Sequence, residues 1–267
     1  YFPIAHMVWA GGGLFFEMGA LDFAGGTVVH INAGVSALVA CIILGKRIGY
    51  QKDVMAPHSL TMTGIGTGLL WVGWFGFNAG SALEANGSAA LAMINTFVAT
   101  ASAGLFWMLA ERLSGHKGSA LGFCSGIIAG LVAVTPAAGN SGPFGAIVLG
   151  AIASVICFYM VTVIKPKLGY DDALDAFGIH GVGGIVGAIG TGIVFAPSLG
   201  GPGGEDFDMG GQLVTQILAV GTTIIWAAIG TAIAMYVAKA LTGLRVSEEV
   251  EREGLDLGEH GERAYNY

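Results

Sequence analysis

Seven apolar runs, each long enough to cross a lipid bilayer, constrain this chain more than any other feature of its sequence. The runs cover approximately residues 25–45, 59–80, 87–110, 119–136, 144–164, 176–195 and 211–241. A helix rises about 1.5 Å per residue, so about 20 residues cross roughly 30 Å of hydrocarbon. The fourth run is short, and the last is long enough to tilt or to project from the bilayer. The sequence therefore predicts an all-α polytopic membrane protein with about seven transmembrane helices.

The composition supports a lipid environment. Of the 267 residues, 54% are hydrophobic, only 11% are charged and 46 are glycine, which is too apolar and too glycine-rich for a soluble core of this size. Gly122, Gly126 and Gly130 recur at four-residue intervals within one run. Small residues at such intervals let helix backbones approach closely inside a membrane. We therefore expect a tightly packed helical bundle.

The basic residues all fall on one side of the bilayer if every apolar run spans it. They are Lys46, Arg47, Lys52, Arg112, Lys117, Lys165, Lys167, Lys239, Arg245, Arg252 and Arg263. The positive-inside rule makes this side, which includes the C-terminal tail, cytoplasmic. We expect a multi-pass protein of the cell (inner) membrane with a cytoplasmic C-terminus. The net charge of −7 argues weakly against a nucleic-acid partner.

The opposite loops carry acidic residues and no basic ones. The acids are Glu17, Glu84, Glu205, Asp206 and Asp208. An electronegative outer surface would attract a cation. Ordinary solvated loop acids are the alternative interpretation, and the sequence leaves both open.

Ionisable residues inside apolar runs are costly, so they are candidate functional residues. His30 lies in the first run and His180 in the sixth, and each follows an aspartate, Asp22 or Asp172, by eight residues. Matching spacing on helices of opposite direction hints at an inverted repeat whose halves meet at the membrane midplane. The alternatives are that each histidine only bonds a neighbouring helix and that Asp22 only caps its own helix.

Aromatic residues recur at three-residue spacing near the outer end of the second run, at Trp71, Trp74 and Phe77. Such a face can bind a small cation. An aromatic belt at the membrane interface is the commoner origin of this pattern. The sequence contains no nucleophile elbow, phosphate-binding loop, dinucleotide fingerprint or Cys-X-X-Cys pair. We therefore do not expect an enzyme.

Several segments resemble a known family. Residues 22–34, Asp-Phe-Ala-Gly-Gly-Thr-Val-Val-His-Ile-Asn-Ala-Gly, are very close to the signature stretch of the ammonium transporters of the Amt/Mep/Rh family. The similarity continues through residues 73–81, 125–136, 175–184 and 243–248. The chain thus resembles a bacterial ammonium transporter over essentially its whole length.

The resemblance implies an architecture. Members of this family are homotrimers with one pore per subunit, eleven helices in the bacterial form and an inverted five-helix repeat. This chain would contain helices five to eleven and lack the N-terminal helices, including a phenylalanine that stacks above the outer site. Residues 1–245 would form the transmembrane domain. Residues 246–267 would form a cytoplasmic regulatory tail that docks PII-type signalling proteins, although composition alone is equally consistent with a solvated extension.

The resemblance also implies roles for particular residues. Trp9 and Ser81 would belong to an outer ammonium site, and Asp22 would stabilise the cation from behind its helix terminus. Phe77 would form a gate below that site, and Trp74 would lie in the pore wall.

A transport mechanism follows from the same resemblance. His30 and His180 would be the family's twin histidines, which share a hydrogen bond in an apolar pore, and Ser125 would lie near a water path. Ammonium, or methylammonium, would lose its proton at the outer site. Ammonia would then cross the pore while the proton moved separately by Asp22, the histidines and water, and neither a metal nor another cofactor would be needed.

Two alternative functions remain. Family members that sense external ammonium usually carry an added signalling domain, and the predicted tail is too short to be one. A membrane-embedded metalloenzyme would need a third ligand beside His30 and His180. Asp22 is too far along its helix to supply that ligand.

Overall fold

The computed structural model describes residues 1–266 as helices and turns, with no β-strand in that range. The helices are α1 (Phe2–Trp9), α2 (Leu14–Glu17), α3 (Gly26–Leu44), α4 (Leu60–Gly80), α5 (Gly87–Leu113), α6 (Ala120–Ala137), α7 (Pro143–Leu168), α8 (Phe177–Val194), α9 (Met209–Thr242), α10 (Glu248–Glu253) and α11 (Leu255–Gly258). Tyr267, the last residue of the predicted tail, lies outside the described residues.

The seven predicted transmembrane helices are confirmed as α3 to α9, each apolar and long enough to cross a bilayer. Their ends lie within four residues of the predicted ends. The largest difference is at α7, which was expected to end near Ile164 and continues to Leu168. An apolar pattern stops at the first charge, whereas a helix can continue into the interface and carry Lys165 and Lys167 there.

The helix ends follow local sequence rules. Ser59, Asn86 and Ser119 precede α4, α5 and α6, and each side chain accepts a backbone N–H from the first turn, at 3.2, 3.1 and 2.8 Å. Gly169 follows α7 with a positive φ of 70°, which a glycine adopts without steric cost. These four helix ends are therefore specified by local residues.

Helices α5, α6 and α7 form the most closely packed part of the bundle. A Cβ atom on Gly126 or Gly130 of α6 would overlap backbone atoms of α5, and one on Gly150 of α7 would overlap Ala99 of α5. The expectation that small residues bring these helices together is confirmed for Gly126 and Gly130. Trp107 is buried in the same region.

Helices α3 and α8 cross in opposite directions at the centre of the bundle. A Cβ atom on Gly34 would overlap the backbone of Gly181, and one on Gly184 would lie 3.0 to 3.1 Å from atoms of Ile31. These two contacts are reciprocal, because Gly34 and Gly184, like Ile31 and Gly181, are 150 residues apart. A reciprocal contact of this kind is the signature of a two-fold relation between two elements. The crossing has the geometry that an inverted repeat requires of its central pair.

Candidate functional site

The two candidate histidines meet at this crossing. The Nδ1 atoms of His30 and His180 are 3.5 Å apart, and their ring centroids are 5.5 Å apart. His30 is 4% exposed and His180 is half-buried. The prediction that the two rings share a contact through their nitrogens agrees with this geometry.

Each histidine lies in a π-helical turn at the start of its helix. The turns are Gly26–Ile31 in α3 and Phe177–Gly181 in α8, and an α-helix continues after each. A π turn adds a residue to the helical repeat, and such turns concentrate at functional sites. The backbone at both histidines therefore departs from α-helical geometry in the same way.

Asp22 caps the π turn that contains His30. Its carboxylate accepts hydrogen bonds from the backbone N–H groups of residues 25–28, two at each oxygen, at 2.6 to 3.0 Å. The residue is 7% exposed. Trp9 Nε1 donates to the Asp22 backbone oxygen at 2.7 Å. Asp22 therefore caps this helix, and both of its carboxylate oxygens are engaged by backbone N–H groups.

Asp172 has the corresponding position in α8. It accepts N–H groups from residues 176–178 at 2.8 to 3.3 Å. Asp175, three residues later, instead pairs with Lys165 at the end of α7. Both histidine-bearing turns are therefore capped by the aspartate eight residues earlier, one at each end of the crossing.

Asp171, the residue before Asp172, is hydrogen-bonded to the loop that follows α3. Arg47 donates to Asp171 through its backbone N–H, Nε and a terminal nitrogen at 2.8 to 2.9 Å. Burial alone would raise the pKa of Asp171, but the hydrogen bonds and charge of Arg47 hold it below its usual range. The same loop meets the tail, because Glu251 accepts the Ile48 N–H and pairs with Arg245.

An aromatic wall lies against the histidines. Trp74 stacks on His30 with centroids 5.2 Å apart and an interplanar angle of 26°, and its centroid is 6.4 Å from that of His180. The Phe77 centroid is 5.9 Å from that of His30. Trp74 is buried, so a lipid-facing aromatic belt does not account for it.

Thr135, near the end of α6, completes the surroundings of His30. Its hydroxyl lies 3.2 Å from His30 Nε2, accepts Trp74 Nε1–H at 3.0 Å and donates to the Leu131 carbonyl at 2.7 Å. Sequence reasoning assigned this residue no role. The only signal was a hydroxyl residue before Pro136 in an otherwise apolar run, and that pattern does not identify a histidine partner.

A model of the Ammonium Transporter Family matches residues 1–265. The chain belongs to this family. It is 56% identical over 267 residues to the ammonium transporter of Aquifex aeolicus, an alignment that covers 100% of the chain and 62% of that relative.

Solved structures of ammonium transporter relatives share the fold. A Sensor Amt Protein superposes with a TM-score of 0.87 at 31% identity, over 96% of this chain and 65% of that one. Candida albicans Mep2 superposes with a TM-score of 0.83 at 36% identity, over 92% of this chain and 57% of that one. The chain thus spans between 57% and 65% of the length of these three proteins.

The residues that the ammonium transporter resemblance singled out fall into separate groups. His30, His180, Trp74 and Phe77 form one contiguous cluster. Ser81 donates to the Phe77 carbonyl at 2.8 Å and so adjoins that cluster. Trp9 and Asp22 form a second pair, and within residues 1–266 no hydrogen bond or ring contact joins this pair to Ser81. Ser125 is half-buried and donates to the Leu121 carbonyl of its own helix at 3.1 Å.

Proposed function

We propose that this multi-pass membrane protein transports ammonium. The observation that carries the proposal is the contact between buried His30 and half-buried His180, in capped π turns of two antiparallel helices, in a chain that belongs to the Ammonium Transporter Family. Aromatic and apolar groups surround the pair. Such surroundings suit a small neutral molecule and are costly for a bare cation.

The proposed mechanism separates the proton from its carrier. At the outer end of α4, Trp9, Phe77 and Ser81 would replace part of the hydration shell of ammonium, with the ring faces attracting the cation. The Asp22 carboxylate favours positive charge nearby through its field. Ammonia then passes His30 and His180, and the proton moves separately by way of the Asp22 region, the histidines and water, for which Ser125 lines part of the path. Trp74 forms the pore wall beside both imidazoles.

The distribution of charge supports the proposed orientation. The basic residues lie in the loops and helix ends on one side of the seven helices, and α10 and α11 extend from that side. By the positive-inside rule this face is cytoplasmic, in the cell (inner) membrane, and the acidic outer loops face the ammonium supply.

Replacing His30 with Ala is expected to abolish proton-coupled current, because the pair then lacks one of the two rings through which the proton moves. The measurement is membrane current with uptake of labelled methylammonium, using the natural protein reconstituted in liposomes. His116→Ala changes an exposed loop histidine and serves as the matched control. Current and selectivity in His30→Ala equal to those of the control would contradict the mechanism.

Absence of any uptake by the unaltered protein would point instead to a sensor of ammonium; one relative is named a Sensor Amt Protein. Within residues 1–266, no three metal-binding side chains lie close enough together to hold a metal ion.

The tail is proposed to bind a PII-type signalling protein, and the protein is proposed to form a homotrimer. The observation that favours a regulatory tail is its attachment, through Glu251 and Arg245, to the loop that also holds Asp171 beside the α8 cap. Deleting residues 246–267 is expected to weaken PII binding by at least tenfold, measured by surface plasmon resonance on reconstituted protein. Unchanged binding would contradict this role.

The proposed homotrimer is tested by light scattering of the solubilised protein, which should give the mass of three chains.

A further inference from the structure

The hydrogen bonds around Thr135 determine where the protons of the histidine pair lie. A threonine hydroxyl has one hydrogen to donate and two lone pairs to accept. The Thr135 oxygen is 2.7 Å from the Leu131 carbonyl, an ordinary length for O–H···O. Its distance of 3.2 Å to His30 Nε2 is long for an O–H donor and within the range for N–H···O. The hydroxyl hydrogen therefore belongs to the bond with Leu131.

The Thr135 oxygen can therefore only accept hydrogen bonds through its two lone pairs. Trp74 Nε1 can only donate, and it fills one of them at 3.0 Å. The other faces His30 Nε2, which must then carry a hydrogen. A neutral imidazole has one N–H, so Nδ1 of His30 is left with a lone pair.

The tautomer of His30 in turn determines the tautomer of His180. The contact between the two Nδ1 atoms is a hydrogen bond only if one nitrogen donates and the other accepts. Because Nδ1 of His30 is the acceptor, Nδ1 of His180 must be the donor. We infer that Thr135 is a positioning residue that sets one tautomer on each histidine, Nε2–H on His30 and Nδ1–H on His180.

The two histidines therefore carry different tautomers, although the backbone around them is nearly symmetric. The lone pair of His180 Nε2 is the acceptor that the pair offers to a passing N–H group, and His30 offers none. This reading of the pore rests on the proposed transport function, whereas the tautomers themselves do not. If His180 took up a proton at Nε2, its Nδ1 proton would move to Nδ1 of His30. His30 would then carry an N–H group at both ring nitrogens.

Nitrogen-15 solid-state NMR of histidine-labelled protein in lipid bilayers tests the assignment directly, because protonated and bare imidazole nitrogens have well-separated shifts. The chain has six histidines, so the two signals are assigned with His30→Gln and His180→Gln variants. In the unaltered protein we expect the two tautomers stated above. The opposite tautomers, or a mixture at either ring, would overturn the inference without any variant of Thr135.

Two substitutions isolate the hydroxyl. Thr135→Ser keeps the hydroxyl and should leave the signals of both histidines unchanged. Thr135→Val removes the hydroxyl at similar side-chain volume and should give a second set of signals from the opposite tautomers. Identical spectra for the valine variant and the unaltered protein would show that Thr135 does not set the tautomers. Methylammonium uptake by the same preparations is read separately. A lack of uptake by the unaltered protein refutes the transport proposal while leaving the spectra to decide the tautomers.

Discussion

Replacing Asp22 with Asn is expected to abolish methylammonium uptake and to lower the melting temperature of the protein substantially. The carboxylate accepts four backbone N–H groups with its two oxygens. An amide keeps one oxygen and turns an NH₂ group toward the other two donors. Each buried donor left without a partner costs about 1–3 kcal/mol. The π turn that positions His30 would lose half of its cap.

The control for this variant is Asp208→Asn. Asp208 precedes α9 as Asp22 precedes α3, but its side chain makes no capping hydrogen bond. Both variants remove one negative charge on the outer side, but Asp208 is exposed and its carboxylate supports no helix turn. Uptake and thermal stability in detergent should be nearly unchanged in the control. Equal stability of the two variants would show that the four hydrogen bonds are not needed for the fold.

Replacing Gly34 with Ala is expected to destabilise the protein by about 1–3 kcal/mol, the usual cost of overpacking. The added methyl group would overlap the backbone of Gly181, which has no flexible end that could move aside. The two helices would have to separate, and the contact between the histidines would lengthen with them. Thermal unfolding in detergent measures the loss of stability, and methylammonium uptake measures the effect on the proposed transport.

Gly230→Ala, in the middle of α9, provides the matched control. Its added methyl group would meet no atom within 4 Å, and alanine is favoured over glycine in a helix by about 1 kcal/mol. The control should therefore be as stable as the unaltered protein or slightly more so. A Gly34→Ala variant as stable as the control would mean that the crossing is looser than the structure indicates.

The transmembrane helices could be predicted from sequence because hydrocarbon thickness and helix rise leave little choice of length. The confirmed ends of α4 and α6 were marked by Ser59 and Ser119, whose hydroxyls cap them. The pairing of His30 with His180 was suggested by their equal spacing from Asp22 and Asp172. Each of these signals is local, or is repeated at a second place in the chain.

The surroundings of the histidines could not be predicted in the same way. Thr135 is more than 100 residues from His30, and no spacing rule connects them. The π turns depend on tertiary packing at the crossing, because no residue pattern specifies an added residue within a helix. Trp74 was ambiguous between a pore wall and a lipid-facing belt until the fold placed it beneath His30.

The reciprocal contact between α3 and α8 also bears on how the protein can move. If the two helices rock against each other about their two-fold axis, displacements are smallest near the axis and grow toward the helix ends. The histidines lie close to that axis, so the distance between their rings would change least during such a motion. The largest displacements would then occur at the helix ends, beside the Asp22 cap on one side and beside Asp171 and Arg47 on the other. The tail contacts the loop that carries Arg47, where a small rotation produces a large displacement.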